Sequence, residues 1–191
     1  YGLVGSEMCI RDRSKKLGGQ LSLASIPPGR KEIEHFKDFL LNRLKKTDVK
    51  VIRGEKAIQS FIKKDQPDTL ILATGAHPLS LDIPGLKKRQ TITAWDVLAG
   101  KKDPKEPCLV LGAGLVGCET ADYLSEKGKE VILVEILPEI TSDGDADTKA
   151  YFNLKFHKNG VKVYTRTELR RVDRKIATLQ KGNEEIKVQV E

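Results

Sequence analysis

The sequence predicts an α/β fold made of two successive strand–helix–strand parts, and three features carry that prediction. Short apolar runs at 48–53, 69–73, 108–112 and 130–135 alternate with amphipathic stretches of helical spacing. The run 69-TLILA-73 has no polar alternation, as expected of a parallel strand buried on both faces. A glycine string, Gly112-Ala-Gly114-Leu-Val-Gly117, stands where the strand 108-CLVLG-112 gives way to a helix.

In chain order, residues 1–13 stand apart. Their stretch SEMCIRDR resembles translated sequencing-adapter read-through, so 1–13 is expected to be foreign to the fold or disordered; a genuine entering strand is the alternative. From Ser14 the pattern becomes regular. Lys16-Leu-Gly-Gly-Gln20 reads as a glycine turn and Ile26-Pro-Pro-Gly29 as a loop. Over 30–46, Ile33, Phe36, Leu40 and Leu44 recur at helical spacing with the charges opposite, which predicts a helix with one core-facing stripe. The strand 48–53 closes at Gly54. A short helix near 56–64 carries Ile58, Phe61 and Ile62, and the strand 69–73 runs into Thr74-Gly75. Residues 78–106 are broken by Pro78, Pro84-Gly85, Gly100 and Pro104, and read as a crossover with a short helix around 94–98.

The second part starts with strand 108–112, a helix over about 114–127 and Gly128 as its terminator. Strand 130-EVILVE-135, a loop with Pro138 and Asp143-Gly144, a helix over 146–158 ended by Asn159-Gly160, and strand 161–165 follow. Two strands near 169–179 and 185–190, joined by Lys181-Gly-Asn183, complete the chain. The expected division is 14–105 and 106–191.

Composition narrows the function. The net charge of +7 invites nucleic acid, but Lys and Arg alternate with Asp and Glu along the chain, as on a solvated helix face. With five Phe and four Tyr there is no basic–aromatic interleaving for stacking bases, so no nucleic-acid partner is expected. No apolar run reaches the roughly 18 residues of a membrane span, and no secretory leader pattern opens the chain. No membrane role and a cytoplasmic location are therefore expected. Cys9, Cys108 and Cys118 lie too far apart in sequence to suggest a zinc, iron–sulfur or disulfide framework, and no metal site is expected.

The glycine string fits G-x-G-x-x-G, which alone is a weak signal. Its setting is stronger: it follows a buried strand, opens a helix, and is followed 18 residues after Gly117 by Glu135 at the end of the next strand. Gly112 allows the tight turn, Gly114 lets backbone and pyrophosphate approach closely, and Gly117 lets helix and sheet pack. The helix start, with Ala113, Leu115 and Val116 around the glycines, offers free N–H groups to phosphate. The bland alternative is a glycine turn that binds nothing. A carboxylate at 135 accepts from both ribose hydroxyls and repels a 2′-phosphate, and the segment 136-ILPEITSDG-144 lacks Lys and Arg, so NAD(H) is expected rather than NADPH. Glu119 reads either as a first-turn acid favoured by the helix dipole or as a group near the bound ligand.

Leu17-Gly-Gly-Gln-Leu21, Ser25-Ile-Pro-Pro-Gly29, Ala73-Thr-Gly75, Thr93-Ala-Trp-Asp-Val-Leu-Ala-Gly100, the segment 112–119 and Val134-Glu-Ile-Leu-Pro-Glu-Ile140 together resemble the NADH:flavin oxidoreductases. The likeness is to the C-terminal half of the 2,4-dienoyl-CoA reductase and 2-enoate reductase branch, and it covers 14–191 in the same segment order. The resemblance implies two Rossmann-like dinucleotide-binding parts, truncated at both ends: a partial FAD domain over 14–105 and an NAD(H) domain over 106–191. It implies FAD contacts at Gly18, Gly19, Gln20, Ala73, Thr74 and Gly75, and places Glu119 near the nicotinamide. It further implies a missing N-terminal barrel of the old yellow enzyme type on the same polypeptide, carrying FMN, a 4Fe-4S cluster, the substrate pocket and the catalytic residues, none of which would lie in this chain. Disulfide reductases share the two-nucleotide layout but need a redox-active cysteine pair, which Cys108 and Cys118 do not make. Two alternatives stay open: a small ferredoxin-reductase-like flavoprotein, and a non-catalytic nucleotide-binding module that holds ADP or NAD.

Overall fold

Parallel pairing sets the architecture of both parts of the molecule. The computed structural model describes residues 7–86 and 91–191. Packing divides them into two units, 7–26 with 30–77, and 27–29 with 78–86 and 91–191.

In the first unit, β1 (Cys9–Asp12) lies parallel to β2 (Lys50–Arg53), with Cys9 opposite Lys50 and Asp12 opposite Arg53. The disorder expected across residues 1–13 thus does not hold for Cys9–Asp12. Arg11 ties this strand down: its guanidinium bonds Glu55 at 2.6 Å and Asp65 at 2.8 Å, and lies 4.8 Å from the ring centre of Phe61. Phe61 and Asp65 belong to α3 (Gln59–Asp65).

Two helices precede β2: α1 (Leu21–Ala24) and α2 (Lys31–Leu44). The apolar spacing placed α2 well, but its stripe is covered only in part. Ile33, Leu41 and Leu44 are half-buried, whereas Phe36 and Leu40 are exposed. A cavity of about 220 Å³ between α1 and α2 is walled by Leu17, Leu21, Leu41 and Leu44.

The buried strand expected at 69–73 is not formed. These residues make no ladder with any of the described residues, and Ile71 is 81% exposed. Apolar content gives a segment the capacity to be a strand, but only hydrogen-bonding neighbours make it one, and the sheet of this unit has two strands, β1 and β2, among the described residues.

The second unit opens on α4 (Ala94–Leu98), capped where Thr93 Oγ1 accepts the Asp96 N–H at 3.1 Å. A parallel sheet in the order β3-β4-β5 follows, from β3 (Cys108–Leu111), β4 (Val131–Val134) and β5 (Lys162–Tyr164). Two helices connect them, α5 (Leu115–Glu126) and α6 (Ala146–Asn159), and α6 ends on Gly160 at φ +70. All four residues of β4 are buried. Val131 and Leu133 join a core with Cys118, Leu124, Phe152 and Phe156 of the helices. Ile132 and Val134 join a second core with Leu169, Val172, Leu179 and Val188. Those last four come from an antiparallel meander, β6 (Glu168–Asp173), β7 (Ile176–Lys181) and β8 (Glu184–Gln189). The unit is therefore three-layered: helices, parallel sheet, meander.

The meander corrects the single strand expected over 169–179. Arg174, at φ +55, breaks that run into β6 and β7, which pair as a hairpin from Asp173↔Ile176. Residues 78–86 and 91–105 also pack with this unit, so the change of unit falls near residue 78 and not at 105/106. The cause is burial: Ile83 sits in the meander core and Val97 in the helical core. Gly85 abuts β6 so tightly that a Cβ there would stand 2.0 Å from the Val172 carbonyl oxygen.

Candidate functional site

The carboxyl end of β3 turns sharply into α5. Gly112 sits at φ +94, a conformation that favours glycine, and its N–H donates to the Val134 carbonyl at 2.8 Å. Gly117 lies directly against this turn: a Cβ there would stand 1.9 Å from the Gly112 carbonyl oxygen. Only a bare Cα lets the helix approach the strand exit so closely. Gly114 is the N-cap of α5, and the Leu115 N–H beyond it donates to the Asp143 carboxylate, at 3.1 and 3.3 Å to its two oxygens. The same carboxylate lies 3.3 Å from where a Cβ on Gly114 would be. Val116, one residue into the helix, is 53% exposed.

Glu135 leaves β4 beside this turn. It is 8% exposed, and its two oxygens accept separately from the Ala113 N–H at 2.6 Å and the Leu137 N–H at 2.8 Å. A carboxylate has about four acceptor positions, so two remain for donors of a ligand. Gly112, Ala113, Gly114, Leu115 and Glu135 are thus gathered at one strand end. Glu119 is not a first-turn acid: α5 starts at Leu115 and has none in its first turn. The dipole reading falls with that, because the effect fades within one turn.

The loop after Glu135 folds back over the turn. The Thr141 N–H donates to the Ala113 carbonyl at 2.7 Å, and the Gly144 N–H to the Thr141 carbonyl at 2.8 Å. Thr141 is fully buried at φ +49, a strained setting for a β-branched residue, and its hydroxyl oxygen has no partner among the described residues. Cys118 lies beneath, its thiol bonded to the Ala113 carbonyl at 3.3 Å. Burial above all, then the charges of Asp143, Glu135 and Glu119, push that thiol up to about 12. Burial likewise raises Cys108, and all three cysteines are free. A thiol held protonated this firmly is a packing group and not a nucleophile.

In the first unit, Gly18 at φ +108 and Gly19 at φ +45 form the turn into α1, their carbonyls accepting from the Leu21 and Ser22 N–H groups. Gly75, at φ +76, lies against the Gln20 amide, 3.3 Å from where its Cβ would be. Gln20 and Gly75 are therefore neighbours, though 55 positions apart (75 − 20). Ala73 and Thr74 are exposed on the unpaired segment before Gly75.

Sequence reasoning missed Asp143, which read only as part of a turn; its contact with Leu115 spans 28 positions. It also missed cations brought to the loop from elsewhere in the chain. Lys149 of α6 pairs with Glu139, holding that carboxyl below its ordinary range with Arg166 nearby, and the Arg166 N–H bonds the Leu137 carbonyl at 2.9 Å. Among the described residues no group of His, Cys, Asp and Glu is placed to hold a metal ion, and no helix is long and apolar enough to cross a membrane.

Comparison with known proteins extends these observations. An NADH oxidase of Thermoanaerobacter brockii is 41% identical over 165 residues, 84% of this chain and 25% of that protein. A cinnamate reductase of Clostridium sporogenes is 31% identical over 164 residues, 83% of this chain and 24% of that protein. The chain spans about a quarter of the length of these curated relatives. Among solved structures, a 2-naphthoyl-CoA reductase complex shares the fold with a TM-score of 0.89 at 21% identity, over 97% of this chain and 28% of that one. The family described as pyridine nucleotide-disulphide oxidoreductase matches residues 8–190. That match takes in both glycine turns and the strand end that carries Glu135, and the chain belongs to this oxidoreductase family.

Proposed function

We propose that the chain is the electron-input part of a flavin-dependent oxidoreductase, with NADH held on the unit that carries Gly112 and Glu135 and FAD on the unit that carries Gly18 and Gly75. The observation that carries the reading is the turn at Gly112–Gly117, where Gly114 leaves one face of the helix start bare and Glu135 keeps acceptor positions open beside it. Those residues suit a dinucleotide: backbone N–H groups and the helix dipole for the pyrophosphate, and the carboxylate for ribose hydroxyls. Glu135 is already oriented by the Ala113 and Leu137 N–H groups, so a 2′-phosphate would meet a fixed negative charge. Of the cations that reach the loop, Lys149 is paired with Glu139 and Arg166 lies near the same carboxyl. Both facts favour NADH over NADPH.

Gly18, Gly19 and Gln20, with Ala73, Thr74 and Gly75, suit the FAD: positive-φ glycines leave backbone open to a phosphorylated or flat ligand. When bound, nicotinamide and flavin supply the hydride chemistry themselves, and the chain's residues supply binding, orientation and electrostatics. Glu119, on the second turn of α5, is proposed to orient the nicotinamide.

In the whole enzyme we place this chain after an N-terminal barrel with FMN and a 4Fe-4S cluster, feeding reduction of an activated C=C bond. The support is the short coverage of its relatives and the name of one of them, a cinnamate reductase. The test is flavin bleaching by NADH. Gly114→Val puts a side chain where phosphate must approach, and should slow bleaching at least tenfold while circular dichroism stays unchanged. Bleaching at the normal rate would show that the turn is not the site.

A further inference from the structure

The geometry points to Asp143 as a built-in competitor for the pyrophosphate: a carboxylate that occupies the amino end of α5 until a dinucleotide displaces it. This inference rests on the reading of the Gly112–Gly117 turn as the NADH site. An acidic side chain at a helix N-terminus answers the same free N–H groups and dipole that a phosphate would. Asp143 does so here from 28 positions away, taking the Leu115 N–H and covering the bare face of Gly114. Those are the two features a dinucleotide needs, so both anions cannot hold them together.

The surroundings suit a displaceable group. Asp143 is exposed, so leaving strands no buried charge. The segment that carries it is anchored just before, at Thr141, whose N–H stays on the Ala113 carbonyl. Thr141 is also where tension is stored: a β-branched residue in the left-handed region, fully buried, with its hydroxyl unpartnered among the described residues. Strained residues of this kind cluster at clamps and switch segments. The Gly144 N–H, bonded to the Thr141 carbonyl, closes the turn that aims Asp143. With Thr141 as the fixed point, Ser142, Asp143 and Gly144 swing away, giving up the Ser142 hydroxyl bond to the Glu139 carbonyl and the Gly144 N–H bond to the Thr141 carbonyl, while the rest of the loop stays.

The experiment is a titration of the full chain with NADH, ADP-ribose and adenosine, beside hydrogen exchange with and without NADH. Asp143→Asn should bind NADH and ADP-ribose about 3- to 10-fold tighter, with adenosine, which has no phosphate, unchanged. Asp143→Glu, which keeps the charge, should stay within about twofold of the native protein. In the native chain NADH should slow amide exchange at Leu115 and speed it over 142–144. Equal or weaker NADH binding by Asp143→Asn, or exchange slowing over 142–144 together with Leu115, overturns the inference. Gly114→Val separates the two claims. If it abolishes NADH binding and Asp143→Asn changes nothing, the competitor falls and the site stands. If Gly114→Val binds NADH normally, the site itself falls. Should Asp143→Asn not fold, the exchange pattern of the native chain decides alone.

Discussion

Gly117 and Cys118 are adjacent in sequence, and each answers to a neighbour across the turn. The reason for a glycine at 117 was legible beforehand, because close packing of helix on strand is a property of the motif; the structure supplies the distance, 1.9 Å from a would-be Cβ to the Gly112 carbonyl oxygen. The thiol of Cys118 gives a pH prediction. Its proton is held more tightly in the folded chain, where burial lifts it to about 12, than in the unfolded chain, where it ionises near the ordinary 9.0. Its contribution is whole below pH 9 and is lost as pH rises toward 12, at up to about 1.4 kcal/mol per pH unit. Thermal melts over that range should fall more steeply for the native chain than for Cys118→Ala; parallel slopes would refute the assignment. Glu135 and Asp143 show what a linear reading loses. The first was legible as an acid at a strand end, but not as the acceptor that holds Ala113 and Leu137. The second was invisible because its partner is distant in sequence, and hydrogen bonds of that span leave no periodic trace.

At the scale of elements, legibility followed how local the determining forces are. The short helix around 94–98 and the β3–α5–β4 succession carry their own signals: a Thr93 cap, a glycine turn, an apolar period. Segments whose state depends on a partner were misread. The 69–73 run has the composition of a buried strand and no ladder, and the break at Arg174 sits inside Asp173-Arg174-Lys175, where no Gly, Pro or Asn announces a turn. On α6, Phe152 and Phe156 stack with ring centres 5.6 Å apart and are both buried against α5 and β4. Phe152→Ala should therefore cost about 3–5 kcal/mol, read as a lower denaturant midpoint. A loss below about 1 kcal/mol would mean the cavity collapses freely and the packing is loose.

Across the molecule, apolar burial is distributed unevenly. In the first unit Phe36, Leu40 and Ile71 face solvent, whereas the second unit encloses two cores, one on each face of β4. Whole-chain composition foretold none of this, since it counts apolar residues without saying which of them find partners. β4 is a wall shared by both cores, because Val131 and Leu133 serve one and Ile132 and Val134 the other. The consequence is calorimetric. A shared wall makes the helical layer and the meander one cooperative block, with a single heat-absorption peak between them. Phe152→Ala on the helices and Leu179→Ala on the meander should then lower the midpoint of the same peak, and a peak that splits would disprove the coupling. Glu135 extends directly from that wall, so the acid beside the turn keeps its position until the whole block melts.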